Sequence, residues 1–112
     1  MKLNEYQIRA METRLPSSKN VEYMLLGLLS EAGEVAGVLK KYIRGDNGQP
    51  VDTDIDDKTR INMAKELGDV LWYCAGLAEE LGYTLQEIAQ MNILKLQSRQ
   101  RRGVIQGNGD ER

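Results

Sequence analysis

Histidine and phenylalanine are absent from this 112-residue chain, cysteine and tryptophan occur once each, and proline occurs twice. Without His, one chain holds no Ser-His-Asp or Cys-His nucleophile pair, no imidazole base and no His-bearing zinc, haem or copper site. A single Cys excludes an intrachain disulfide and any CxxC motif, and leaves Cys74 a reduced free thiol. Long hydrophobic runs are missing as well. No stretch approaches the roughly 18 apolar residues of a membrane span, and the N-terminal MKLNEYQIRAMETR lacks a signal-peptide core. Neither charge is in excess: 15 Lys+Arg face 17 Asp+Glu, and a net −2 marks neither nucleic acid nor an anionic membrane as partner. These absences predict a cytoplasmic chain. They confine catalysis to carboxylate, amine, guanidinium and hydroxyl groups, with any metal that oxygen ligands can hold.

What is plentiful is Leu, Ala, Glu, Lys, Gln and Met, the residues that favour helices. A first helix is expected over 3–14, stopping before Pro16, because the residue ahead of a proline is pushed out of the helical region. Ser18 or Asn20 can cap a second helix running to Arg44 and ending at Gly45. Its apolar stripe is Met24, Leu25, Leu28, Ala32, Val35, Ala36 and Leu39. A polar loop covers 45–57. The third helix, 57–81, carries Met63, Leu67, Val70, Leu71, Cys74, Leu77 and Leu81 and stops at Gly82. Thr84 and Glu87 form a capping box that opens a fourth helix to Arg102, with Leu85, Ile88, Ala89 and Leu96 on its stripe. The fold class is therefore all-α: a four-helix bundle in one domain, 1–112, with two long central antiparallel helices. A chain this small buries only about two-thirds of the surface its unfolded form exposes, so a homo-oligomer is expected. The residues after Gly103 read locally as a flexible tail.

One short internal echo stands out, SEAGEV at 30–35 and KELGDV at 65–70. Glu31 and Glu34 lie one turn apart on the second helix, as do Glu66 and Asp69 on the third, and like charges at that spacing repel by a few tenths of a kcal/mol. Each pair borders an apolar stripe. If the stripes pack antiparallel, four carboxylates converge at the core's edge, where uncompensated they would be costly or would protonate. A divalent cation resolves the conflict, and all-oxygen ligation favours Mg²⁺ or, as a substitute, Mn²⁺. Gly33 and Gly68 strengthen this reading, since a mid-helix glycine costs about 1 kcal/mol relative to Ala and suits a close approach of backbone or ligand. The competing reading is two solvated acidic faces.

A metal cluster of this kind serves phosphate, and the fourth helix offers partners for it. Asn92 stands where the stripe calls for an apolar residue, and Lys95 and Arg99 follow one and two turns on. The plain alternative is a satisfied core Asn with two solvated cations. Lys41, seven residues beyond Glu34, can meet a phosphate, whereas Lys40 and Arg44 suit the helix end. Tyr73, one turn beyond Asp69, and Trp72, three residues beyond it, can stack on a base or bond a sugar, or simply pack. Cys74 on the stripe reads as an inert small hydrophobe.

The ExxE at 31–34 and ExxD at 66–69 on a small helical chain resemble those of the MazG-like nucleoside triphosphate pyrophosphohydrolases. That superfamily also includes dimeric dUTPases and phosphoribosyl-ATP pyrophosphohydrolase. GLLSEAGEVAGVLKKYIRG, KELGDVLWYCAGLAEELGYTLQEIA and NILKLQSRQRRGVIQGNGDER resemble consecutive blocks of one bacterial and phage subgroup, while the first helix and the 45–57 loop have no strong counterpart. The resemblance implies that Glu31, Glu34, Glu66 and Asp69 hold Mg²⁺ and that Asn92, Lys95 and Arg99 contact the triphosphate or sugar. It implies hydrolysis of a nucleoside triphosphate to monophosphate and pyrophosphate, by a homodimer or homotetramer that keeps nucleotide pools in order. It also recasts the tail: 103–112, with Arg102, Asp110 and Arg112, resembles the subgroup's own ending and suits a lid or a subunit contact. Two alternatives from other classes stand beside the enzyme, a non-catalytic helical interaction module and a metal-dependent nucleotide sensor.

Overall fold

The computed structural model describes residues 1–45, 47–49 and 54–112. It runs α1 (Leu3–Met11), a 3-10 turn (Pro16–Ser18), α2 (Val21–Arg44), α3 (Asp57–Glu80) and α4 (Leu85–Arg102), with no strand among the described residues. The all-α class and the two long helices are as predicted. Of the polar loop read at 45–57, residues 46 and 50–53 lie outside the described residues.

The helix boundaries follow local chemistry. Asn20 Oδ1 accepts the Tyr23 amide at 2.7 Å and so opens α2, Asp56 Oδ1 does the same for Thr59 at 2.7 Å in α3, and Thr84 Oγ1 takes the Glu87 amide at 3.1 Å in α4. Gly103, at φ 69°, ends α4 in the left-handed region where a side chain would be strained. α1 closes at Met11 rather than at Arg14. Thr13 Oγ1 turns back to donate to Ala10 O at 2.6 Å, and the chain then leaves for Pro16.

The two long helices pack along their length in antiparallel register. Met24 lies against Gly76, Gly27 against Tyr73, and Val38 and Lys41 beside Thr59 and Asn62, so position rises on one helix as it falls on the other. Small residues set the closeness. A Cβ at Gly27 would fall inside the Tyr73 ring, and one at Gly76 would meet the Met24 sulfur. Met24 is fully buried and Ala75 beside Gly76 likewise. Gly33 and Gly68 behave otherwise: a Cβ at either meets nothing within 4 Å, so the close approach anticipated at them is not made within one chain.

α1 and α4 are held to this hairpin by polar contacts that the apolar stripes did not foretell. Gln7 is buried; its Nε2 donates to Ala75 O and Tyr83 O, each at 3.2 Å, and its Oε1 accepts the Leu85 amide at 2.9 Å. That amide is a first-turn N–H of α4, which has no partner within its own helix. Trp72 Nε1–H donates to Thr13 Oγ1 at 2.8 Å and Ala10 O at 3.1 Å, and Arg14 pairs with Glu80 at 2.6 Å. α4 therefore rests on α1 and the end of α3; among the described residues its backbone does not pack closely on α2, and Leu28 of α2 meets it only across a small cavity shared with Leu85 and Ile88.

Much of each predicted stripe consequently stays uncovered. Leu25, Ala32 and Ala36 on α2, Leu67, Leu71 and Leu81 on α3, and Ile88 and Leu96 on α4 are exposed, Leu67 by 59%. The radius of gyration is 17.5 Å, against about 13 Å for a compact domain of this length. On α2 the stripe includes the fully buried Met24, but on α3 the buried residues are Thr59, Ala75, Gly76 and Ala78, none of them on the predicted stripe, and a single chain does not supply a second layer to cover the rest.

The tail folds back on itself. Arg112 donates from Nε to Val104 O (2.9 Å), from Nη1 to Gly109 O (2.7 Å) and from Nη2 to Ile105 O (2.9 Å), closing 104–112 into a loop around its own guanidinium.

Replacing Gln7 by Leu leaves the Leu85 amide buried without an acceptor, a loss of about 2 kcal/mol. Urea unfolding of Gln7→Leu is expected to show a lower midpoint with an unchanged slope.

Candidate active site

The antiparallel register places the two acidic echoes opposite each other. Glu31, Glu66 and Asp69 each offer one carboxylate oxygen, and these three atoms lie within 4.8 Å of one another. Glu31 and Glu66 are half-buried and Asp69 exposed. Glu34 stands outside this trio, exposed one turn along α2, yet its charge still reaches Glu31. Partial desolvation first, then the negative charges of Asp69, Glu66 and Glu34, lift the Glu31 carboxyl above its ordinary value of 4.5.

No counter-charge relieves this crowding. Among the described residues the ion pairs are Arg14–Glu80, Arg60–Asp57, Lys95–Asp110 and Arg99–Asp110, so no Lys or Arg neutralises the trio. A cluster of hard oxygen donors, two of the three half-buried and none paired with a cation among the described residues, fits a divalent cation of the Mg²⁺ or Mn²⁺ kind.

Aromatic rings border the acids. Tyr73 is lifted above its ordinary value by burial, with Tyr23, Glu31 and Asp69 adding to the effect, and Tyr6 is lifted by burial and then by Asp69. Tyr23 and Tyr73 have ring centroids 6.4 Å apart, tilted by 31°. Tyr73 thus stands beside the acids, as its spacing from Asp69 suggested. Trp72 faces α1 through its indole N–H and meets Tyr73 edge-on, centroids 4.9 Å apart. Tyr6 and Tyr23 escaped the sequence reading. Tyr23 was visible in principle, two turns before Glu31 on the same face, whereas Tyr6 reaches the acids only through the docking of α1.

The α4 residues form a separate group. Asn92 and Lys95 line a cavity of about 280 Å³ with Ile88, Met91 and Asp110. Asn92 is exposed although it stands where the stripe calls for an apolar residue: with no second layer over α4, that position carries no burial. Arg99 is the buried member, 6% exposed. Lys95 Nζ donates to Asp110 Oδ1 at 2.8 Å, and Arg99 Nη2 donates to the same oxygen at 3.2 Å and to Asp110 O at 2.8 Å. Lys95 first, then Arg99, hold the Asp110 carboxyl below its ordinary value. Lys41 lies towards the far end of α2, exposed, in a polar cavity with Tyr42, Asp56, Lys58, Thr59 and Asn62. The structure thus brings Glu31, Glu66, Asp69 and Tyr73 together, and leaves Asn92, Lys95 and Arg99 in one group and Lys41 in another.

The profile of the MazG nucleotide pyrophosphohydrolase domain matches residues 19–104, a span that includes every candidate ligand from Glu31 to Arg99. The chain is 41% identical over 119 aligned positions to the gene 37 protein of Mycobacterium phage L5, with both chains covered in full. No solved structure matches.

The unpaired acids predict an inverted response to neutralisation. Glu31→Gln is expected to raise the melting temperature of the metal-free chain and to reduce the further rise that Mg²⁺ gives the unaltered chain by mass action. Because the folded-state pKa of Glu31 is raised, its proton contributes stability that is full below about 4.5 and is lost as pH rises through the raised value. Differential scanning calorimetry with and without Mg²⁺ checks both; a lower melting temperature for the variant together with an undiminished Mg²⁺ response refutes the account.

Proposed function

Because the chain belongs to the MazG nucleotide pyrophosphohydrolase family, we propose that it hydrolyses a nucleoside triphosphate to the monophosphate and pyrophosphate with Mg²⁺. The observation that carries this reading is the trio of carboxylate oxygens within 4.8 Å, unpaired by any cation among the described residues. Glu31, Glu66 and Asp69 would hold the metal. Glu34 joins them as a fourth ligand once bound positive charge removes the repulsion it now adds to Glu31. Mg²⁺, or Mn²⁺ in its place, supplies polarised phosphoryl oxygens, a more acidic water and charge neutralisation.

In the reaction a water oxygen forms a bond to the phosphorus on one side of the α–β bridge, the bond from that phosphorus to the bridging oxygen breaks, and monophosphate and pyrophosphate separate. With no histidine in the chain, the water's proton passes to a carboxylate, Glu34 or Glu31, or to solvent. Lys95 and Arg99 balance charge on the phosphates, Arg99 through its planar fork, and Asn92 bonds phosphate or sugar. Tyr73, beside the acids, offers a face to the base. Trp72, as the next ring along, supports Tyr73 edge-on, and Lys41 extends the positive surface along α2.

The working unit in this reading is a homodimer or homotetramer. A groove of about 550 Å³, lined by Ala64, Leu67, Gly68, Val70, Leu71 and Cys74, runs along α3 with almost no polar surface. A second copy seated there covers the exposed stripe and makes the close approach that Gly68 leaves open. It also offers a way for α4 cations, which do not reach α2 in their own chain, to meet the acids of another.

Three experiments test the reading. Purified protein with Mg²⁺ and a panel of ribo- and deoxyribonucleoside triphosphates is expected to yield monophosphate and pyrophosphate; release of orthophosphate, or no turnover across the panel, overturns it. Product formation also separates an enzyme from a nucleotide sensor. Glu66→Gln is expected to remove turnover with the helical circular dichroism intact. Light scattering is expected to give a dimer or tetramer mass that Leu67→Glu reduces to the monomer.

A further inference from the structure

Lys95 and Arg99 are the cations assigned to the phosphate chain, and neither is bare. Arg99 is 6% exposed. Its Nη2 is committed to Asp110, and its Nε is buried with no partner. An arginine in this state cannot present its fork to a phosphate while the tail lies across it. The occupant is itself anionic, since one carboxylate oxygen, Asp110 Oδ1, lies 2.8 Å from Lys95 Nζ and 3.2 Å from Arg99 Nη2. A phosphoryl oxygen bridging the two cations would take that same place.

The tail is a loop closed on itself, tied at its start to α4 by the Val104 amide on Arg99 O at 2.9 Å. Its loop is closed internally by Arg112 on Val104 O, Ile105 O and Gly109 O, and a Cβ at Gly107 would collide with the Arg112 side chain. Beyond the Asp110 contacts, its side-chain tie to α4 is Arg102 Nη2 to Arg112 O at 2.8 Å. The Asp110 side chain is 74% exposed, so its own departure from the cations breaks no buried contact of its carboxylate beyond Lys95 and Arg99. Gly103, at φ 69°, is the joint between helix and tail.

We propose that the Asp110 carboxylate is a tethered competitor for the phosphate position on Lys95 and Arg99, so that tail 103–112 holds this site closed until a polyphosphate displaces it. The inference rests on the reading that these two cations take the phosphate chain. A ligand that binds only the open form has its affinity reduced by the fraction of chains that are open, and removing the competitor restores it. A phosphate chain displaces the carboxylate because it carries more charge and engages the arginine fork through two oxygens.

The test titrates the full chain with tripolyphosphate in the presence of Mg²⁺ by isothermal calorimetry. Asp110→Asn keeps the shape and removes the charge, and tripolyphosphate is expected to bind it about fivefold more tightly, the scale of an exposed ion pair. Arg112→Ala opens the tail by another route and is expected to tighten binding in the same direction, with the helical signal unchanged. In the unaltered chain tripolyphosphate is expected to speed amide exchange over 104–112. Equal or weaker binding by Asp110→Asn, with binding still abolished by Lys95→Ala, overturns the competitor and leaves the phosphate reading standing. Binding that survives Lys95→Ala, or no saturable binding by any form, overturns the phosphate reading and the competitor with it.

Discussion

The close approach of α2 and α3 is the constraint on which the rest depends. Met24 on Gly76 and Tyr73 on Gly27 interlock a large residue with a missing side chain in each direction, and both contacts must be made at once. Helices packed this way have few alternative registers, because interiors tolerate neither overlap nor void. The register then does chemical work at a distance: it puts Glu31 across from Glu66 and Asp69. The apolar contacts force the acids into proximity, and their mutual repulsion, which adds to desolvation in raising the Glu31 carboxyl, is the cost that a cation would offset.

A second, polar constraint organises what lies around the hairpin. Gln7, Trp72 and Arg14 fasten α1 and the turn after it to α3, and Gln7 and Asn4 also reach the start of α4, accepting the Leu85 and Gln86 amides. These contacts join side chains to backbone groups or to each other over long sequence separations, so α4 is directed by its first turn and not by a face packed against α2. This explains both why the fourth helix keeps much of its stripe exposed and why its cations find their partner in the tail that follows them.

Helix ends and the acidic echo were legible in the sequence because both are local. Asn20, Thr84, Gly45, Gly82 and Gly103 act within one turn, and carboxylates three residues apart share a face whatever the rest of the chain does. The apolar stripes were legible as faces but not as interfaces. Periodicity says which side of α3 Leu67 and Leu71 occupy, and nothing about whether another layer covers them. Gln7 and Tyr6 were illegible for the converse reason: a polar residue in a nine-residue helix carries no mark of burial until α1 docks. The tail escaped because its fold comes from one arginine gathering backbone carbonyls, a pattern with no period and no apolar content. Asn92, placed on a stripe and expected half-buried, lies exposed for the same lack of a covering layer.

Gln7 also gives α1 a mechanical character. One amide group bonds to the backbone of α3, of the Tyr83 turn and of α4, so α1 acts as a splint across the elbow between the last two helices. The elbow angle sets where the distant end of α4 points. Over the length of that helix a tilt of a few degrees moves Arg99 by more than an ångström. The position of the cationic end of α4 is thus set from the opposite end of the sequence, by a residue far from Lys95 and Arg99.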